Sequence, residues 1–166
     1  MREHSRRDLL KGGMSLAVGA IGVGAVTEPA AEAASGLTMT FDGIAVTARV
    51  HGTSRWRLPK PDDHVTIHGR ITDGRGAEGT FSATGVATRF PGSDQLALLE
   101  QHLFVMHDGT LTGAGQRTGP TGTFAVTGGT GKYAGARGSY TADISPSSLG
   151  GDGTARFELN LTIQER

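Results

Sequence analysis

The sequence predicts an all-β protein, a closed antiparallel eight-stranded β-barrel, and three observations carry that expectation. Ala155 to Gln164 alternates apolar and polar residues without a break, the period of a strand with one buried face. The chain of 166 residues holds 27 glycines but only six prolines, and the glycines separate short β-branched runs, a pattern of turns and bulges rather than of collagen or disorder. Asp108-Gly109, behind the apolar run Leu103-Phe104-Val105-Met106, is a strong hairpin signal.

Residues 1–33 read as an export address. Ser5-Arg6-Arg7-Asp8-Leu9-Leu10-Lys11 resembles a twin-arginine signal, with Leu9 where Phe is commoner. Gly12 to Val26 is weakly apolar and uncharged, and at about 15 residues it is shorter than the roughly 20 a membrane span needs. Ala31-Glu32-Ala33 gives the small-x-small pattern of a cleavage site, which puts the mature start at Ala34 and one domain over 34–166. The expected location is extracellular or in the cell envelope, with no membrane anchor after cleavage.

Basic and acidic residues both number 16, and aromatic residues make up 5%, so nothing points to nucleic acid. With no cysteine, disulfides, thiolate metal sites and cysteine nucleophiles are all excluded.

Leu37 to Val50 is the first expected strand. Val65, Ile67 and Ile71 then alternate with Thr66, His68, Arg70 and Thr72, and Gly79 to Phe90 is a third β-rich stretch. Between the first two, Arg55 to Asp63 has no period and carries the only Trp, Trp56; it reads as a long loop folded over one barrel mouth. Leu96 to His107 is read as a strand with a turn of helix at Asp94 to Leu98. Thr110 to Arg117, Gly122 to Thr127, Gly135 to Ile144 and the final strand bring the total to about eight, enough to close a barrel and remove its edges. A two-sheet sandwich is the alternative.

Three motifs fail on geometry. Thr127-Gly128-Gly129-Thr130-Gly131-Lys132 looks like a nucleotide loop, but such loops need a following helix. Glycines and β-formers follow instead, from Tyr133 to Tyr140. His64 and His68 have helical metal-ligand spacing, but on a strand they stand roughly 13 Å apart, so no metal is expected. Ser139 lacks the elbow turn and partners of a nucleophile.

The stretch Phe124-Ala125-Val126-Thr127-Gly128-Gly129-Thr130-Gly131-Lys132-Tyr133-Ala134-Gly135-Ala136-Arg137-Gly138 resembles the signature of allene oxide cyclases and plant dirigent proteins. Phe104 to Leu111 is similar to the dirigent hairpin, and Gly79 to Val86 to an earlier strand of both families. The resemblance implies an eight-stranded barrel with an apolar lumen and cofactor-free control of cyclisation or coupling of a hydrophobic intermediate. Bacterial spirotetronate cyclases are barrels of similar type. It also implies a small hydrophobic ligand or substrate and a homodimer or homotrimer.

Alternation nominates the site. Phe81, Ala83 and Ala87 share a face with Arg89, and allene oxide cyclases place a pocket residue near the position of Ala87. Glu100 and His102 share parity with Leu98, Phe104 and Met106, which sets a carboxylate on an apolar face with Arg89 as its expected partner and the pair as catalytic candidates. Phe81, Ala87, His102, Phe104, Tyr140 and Trp56 are the expected substrate-binding residues. The bland alternatives place Glu100 in a helical turn or interface, Arg89 at the rim, and Tyr140 as a core phenol. Three functions compete: a cyclase or isomerase, a dirigent-like or lipocalin-like binder, and a filled structural barrel, which predicts no ligand-sized cavity.

Overall fold

The computed structural model describes residues 34–164 except 54–56, 90, 91, 93 and 148–151. The export segment, Trp56 and Phe90 therefore lie outside the described residues. Eight strands follow one another: β1 (Ala34–Val50), β2 (His64–Asp73), β3 (Glu78–Arg89), β4 (Leu96–Met106), β5 (Gly109–Thr118), β6 (Thr121–Gly131), β7 (Arg137–Ser145) and β8 (Thr154–Gln164). Each pairs antiparallel with the next, and β8 returns to β1 from Ala34↔Gln164 to Ile44↔Thr154, so the sheet is a closed barrel and no described strand has a free edge.

The expected helical turn at Asp94 to Leu98 is absent: β4 is already extended at Leu96, paired to Arg89 of β3, with Ala97 paired to Thr118 of β5. Two flanking ladders supply more backbone hydrogen bonds than one turn of helix would. The β4–β5 hairpin is where the sequence puts it, shifted by one residue. His107 and Asp108 form the turn, and Gly109 opens β5 with φ 154°. A Cβ at Gly109 would run into the Thr130 carbonyl, so only glycine fits.

Alternation sorts the side chains as the sequence predicts. Phe157, Leu159 and Leu161 are buried inside, while Arg156, Glu158 and Asn160 face out, Arg156 bridging Asp42 and Glu158. The middle of the barrel is solid. Phe41, Phe81, Phe104, Phe124 and Phe157, five of the six phenylalanines, pack with His102 and Tyr140. Centroid distances include 4.9 Å for Phe81–Phe157, 5.0 Å for Phe104–Phe157, 5.1 Å for Phe124–Tyr140 and 4.2 Å for His102–Phe124. The plug fits because glycines on the inner face of β5 yield space. A Cβ at Gly113 would press into Tyr140, 2.5 Å from Cε1, and one at Gly115 would stand 2.8 Å from Phe124 Cδ1.

The interior thus differs from the open apolar lumen implied by the resemblance. An aromatic plug divides it, and a cup remains at each mouth.

Candidate functional site: the Arg117 mouth

One cup, about 470 Å³, opens where β1, β3, β5 and β7 end. Among the described residues it is lined by Ala48, Leu58, Pro59, Val65, Ile67, Leu96, Leu98, Gly119, Pro120, Ile144, Pro146 and a single charged residue, Arg117. The 57–63 loop is stapled beside it. Asp62 N donates to Ala87 O at 2.7 Å, Ala87 N donates to Asp63 O at 2.9 Å, and the Asp63 carboxylate accepts from Arg57 and from Lys60 N. Those hydrogen bonds, Arg57 first, hold the Asp63 pKa down at about 2. Leu58, 80% exposed, stands over the opening. The loop-over-mouth expectation therefore holds for residues 57–63.

Beneath the cup lies a buried polar network. Arg117 Nη2 donates to Glu100 Oε1 at 2.9 Å and Nε donates to Oε2 at 3.1 Å, a bidentate pair with side chains 6% and 1% exposed. Arg117 Nη1 donates to Gly119 O at 2.7 Å. His102 Nε2 lies 3.3 Å from Glu100 Oε2; an ionised carboxylate only accepts, so Nε2 carries the hydrogen there. Burial pushes the Glu100 pKa up, but the hydrogen bonds from His102 and Arg117, with the Arg117 charge, outweigh it and leave it below the ordinary carboxylate value. Room for the carboxylate comes from Gly85 opposite, where a Cβ would sit 2.8 Å from Glu100 Cγ.

The sequence-nominated residues divide. Glu100, His102, Phe81, Ala87, Phe104 and Tyr140 are all buried inside. Arg89 is not Glu100's partner: it faces solvent and pairs with Asp94 at 3.3 Å, the side chains 58% and 104% exposed. Arg89 ends β3 beyond the Ala87 layer, and it pairs across to Leu96, four residues from Glu100. Arg117 takes its place from β5, on the other side of β4, and sequence reading missed it. The signal was available: Arg117 shares parity with Leu111, Gly113 and Gly115 and so belongs to the inner face. Tyr140 Oη and His102 Nδ1 are buried without a hydrogen-bond partner, and burial, with the Glu100 charge, drives the Tyr140 pKa far above its ordinary value. Asp73 fixes the β2–β3 turn, its carboxylate accepting from Arg75 N and Ala77 N. Arg137 donates to the Ala136 carbonyl at the glycine-rich turn.

No protein-family model matches the chain, and no curated protein sequence matches it. Solved structures do match. A pyocyanin demethylase is 22% identical with a TM-score of 0.57, over 75% of this chain and 99% of that one. A pterocarpan synthase dirigent protein is 16% identical with a TM-score of 0.58, over 81% and 98%. A nonspecific heme-binding cyclase that catalyses [4 + 2] cycloaddition during neoabyssomicin biosynthesis is 23% identical with a TM-score of 0.57, over 78% of this chain and 64% of that cyclase. The class these define is the dirigent-like and cyclase-like barrel, and the chain has that fold.

Proposed function

We propose that the protein is an exported barrel that holds a small hydrophobic intermediate in the Arg117 cup and guides its cyclisation or isomerisation. The observation that carries this reading is one guanidinium set in an otherwise apolar cup and fixed there by Glu100. Three of the five N–H donors of Arg117 are engaged by Glu100 and Gly119, which leaves two for a carbonyl of the bound molecule. Apolar walls hold a flexible chain near its reactive shape, and a fixed cation favours charge developing on oxygen. Such a reaction needs positioning and one cation rather than a cofactor.

A non-catalytic dirigent-like or lipocalin-like binder is the second reading, favoured by the locking of Glu100. Both its oxygens are bonded and its pKa is low, so it is a poor proton donor at neutral pH. Self-association in dimers or trimers belongs to the same proposal, supported by Leu99, Leu103 and Val105, all exposed on the outer face of β4. Among the described residues no helix is long and apolar enough to cross a membrane.

Prodan, an apolar naphthyl ketone with environment-sensitive emission, tests the cup. Binding with blue-shifted emission is expected. It should weaken at least about tenfold in Leu98→Trp, which fills the cup, and by a similar factor when Glu100→Met and Arg117→Met together remove the donor, since a hydrogen bond from a charged group is worth about 1.5–3 kcal/mol. Wild-type affinity in Leu98→Trp would rule the cup out. For export, Arg6→Lys with Arg7→Lys is expected to retain the chain in the cytoplasm of a host with a twin-arginine pathway, read by fractionation and immunoblot.

A further inference from the structure

Two imidazoles meet on the outer face of the barrel, at the neck of the 52–63 connection. His51 follows the last residue of β1, and His64 opens β2. Val50 and Val65, paired beside them, are buried in the core, so alternation turns both His side chains outward, where both are exposed. His51 N donates to His64 O at 2.9 Å, which extends the ladder by one bond and holds the two residues opposite each other. Their ring centroids lie 6.5 Å apart at an interplanar angle of 67°. The sequence offers His64 a different partner, His68, but extended backbone sets that pair roughly 13 Å apart. The fold supplies His51 instead, from the neighbouring strand.

Imidazole nitrogens suit divalent transition metals. With metal–nitrogen bonds of about 2.0–2.1 Å, two imidazoles on one ion have centroids roughly 4.5–6 Å apart, so a small rotation of two exposed side chains closes the difference. Among the described residues neither ring is held in a hydrogen bond or ion pair that it would have to give up. No third His, Asp or Glu among them completes a metal-binding group, so water fills the remaining positions. Two nitrogens with water suit Cu(II), which takes square-planar or tetragonal nitrogen and oxygen ligands and binds tightest in the divalent series.

We propose that His51 and His64 form a two-histidine surface site for a divalent transition-metal ion, with Cu(II) held tightest. The ligands stand at both ends of the 52–63 connection, so the ion cross-links the neck of the segment that brings Leu58 and Pro59 to the Arg117 mouth. Neither His lines that cup, and the site does not depend on what the cup binds.

The test is a titration of the full chain with CuCl2, read by the emission of Trp56. This is the only tryptophan and follows His51 by five residues, so chain length alone keeps it within roughly 18 Å of His51, and Cu(II) quenches nearby indoles. Saturable one-to-one quenching is expected, reversed by Zn(II) only at higher concentration. His51→Gln and His64→Gln should each weaken binding at least about tenfold, and the double variant should be little worse than either, since one missing nitrogen already removes the chelate. His68→Gln should leave binding unchanged. All three positions are exposed, so these variants keep the fold. Electron paramagnetic resonance of the Cu(II)-loaded protein should show two coordinated imidazoles, and fewer in either single variant. The proposal is overturned if Cu(II) does not bind, if either single variant keeps wild-type affinity, or if the two losses add as they would for independent ligands. Prodan binding at the Arg117 mouth is read separately, and its failure would leave the metal site standing.

Discussion

Glu100→Ala is expected to lower the unfolding free energy by about 3–5 kcal/mol in urea denaturation, because it strands the Arg117 guanidinium, 6% exposed, without its counter-charge. Arg117→Met should cost a similar amount by stranding the carboxylate. Adding Glu100→Met to Arg117→Met should recover most of the loss, since two apolar residues of like size replace a buried pair at little net cost. Recovery is incomplete because His102 Nε2 then loses its acceptor, a penalty of about 1–3 kcal/mol. Additive single-variant losses would mean that the two groups are energetically independent. The sign with pH follows from the lowered pKa of Glu100: its stabilisation is complete above the unfolded value of about 4.3 and disappears as pH falls through the folded one. Wild-type stability should therefore drop on acidification below about pH 4.3 more steeply than that of the double Met variant.

Phe104→Ala is expected to be as costly, about 3–5 kcal/mol. Phe104 is fully buried and touches Phe41, Phe81, His102, Tyr140 and Phe157. The ring walls of those neighbours cannot collapse into the gap, because closed ladders hold each strand in place. Removing this ring also opens the partition between the cups. A loss below about 1 kcal/mol would show that the interior is loosely filled.

The strands were legible because each is a two-residue alternation that a single sequence displays. Phe157-Glu158-Leu159 and Leu98 to Met106 announce which side is in, and that alone put Glu100 and His102 among apolar residues. The Arg89 assignment failed because parity gives a face but not a depth: Arg89 has the inward parity of Ala87 and Phe81, yet lies where β3 leaves the barrel. Arg117 was passed over because its inner-face companions Gly113 and Gly115 are not apolar in any hydropathy sense. Their role as space for Tyr140 and Phe124 appears only once those strands are placed. The division of the interior was hidden for the same reason. Five phenylalanines spread over five strands converge through register, which composition does not encode.

The seam between β1 and β8 joins the two ends of the described chain, whereas every other pairing is a local hairpin. As the chain is made, seven strands can therefore meet their neighbours in turn, but the sheet stays an open ribbon with two bare edges until Thr154 to Gln164 docks against β1. The last strand is the clasp. Ring closure waits for β8, and until it happens the half-made protein offers both of its edges to any other strand it meets.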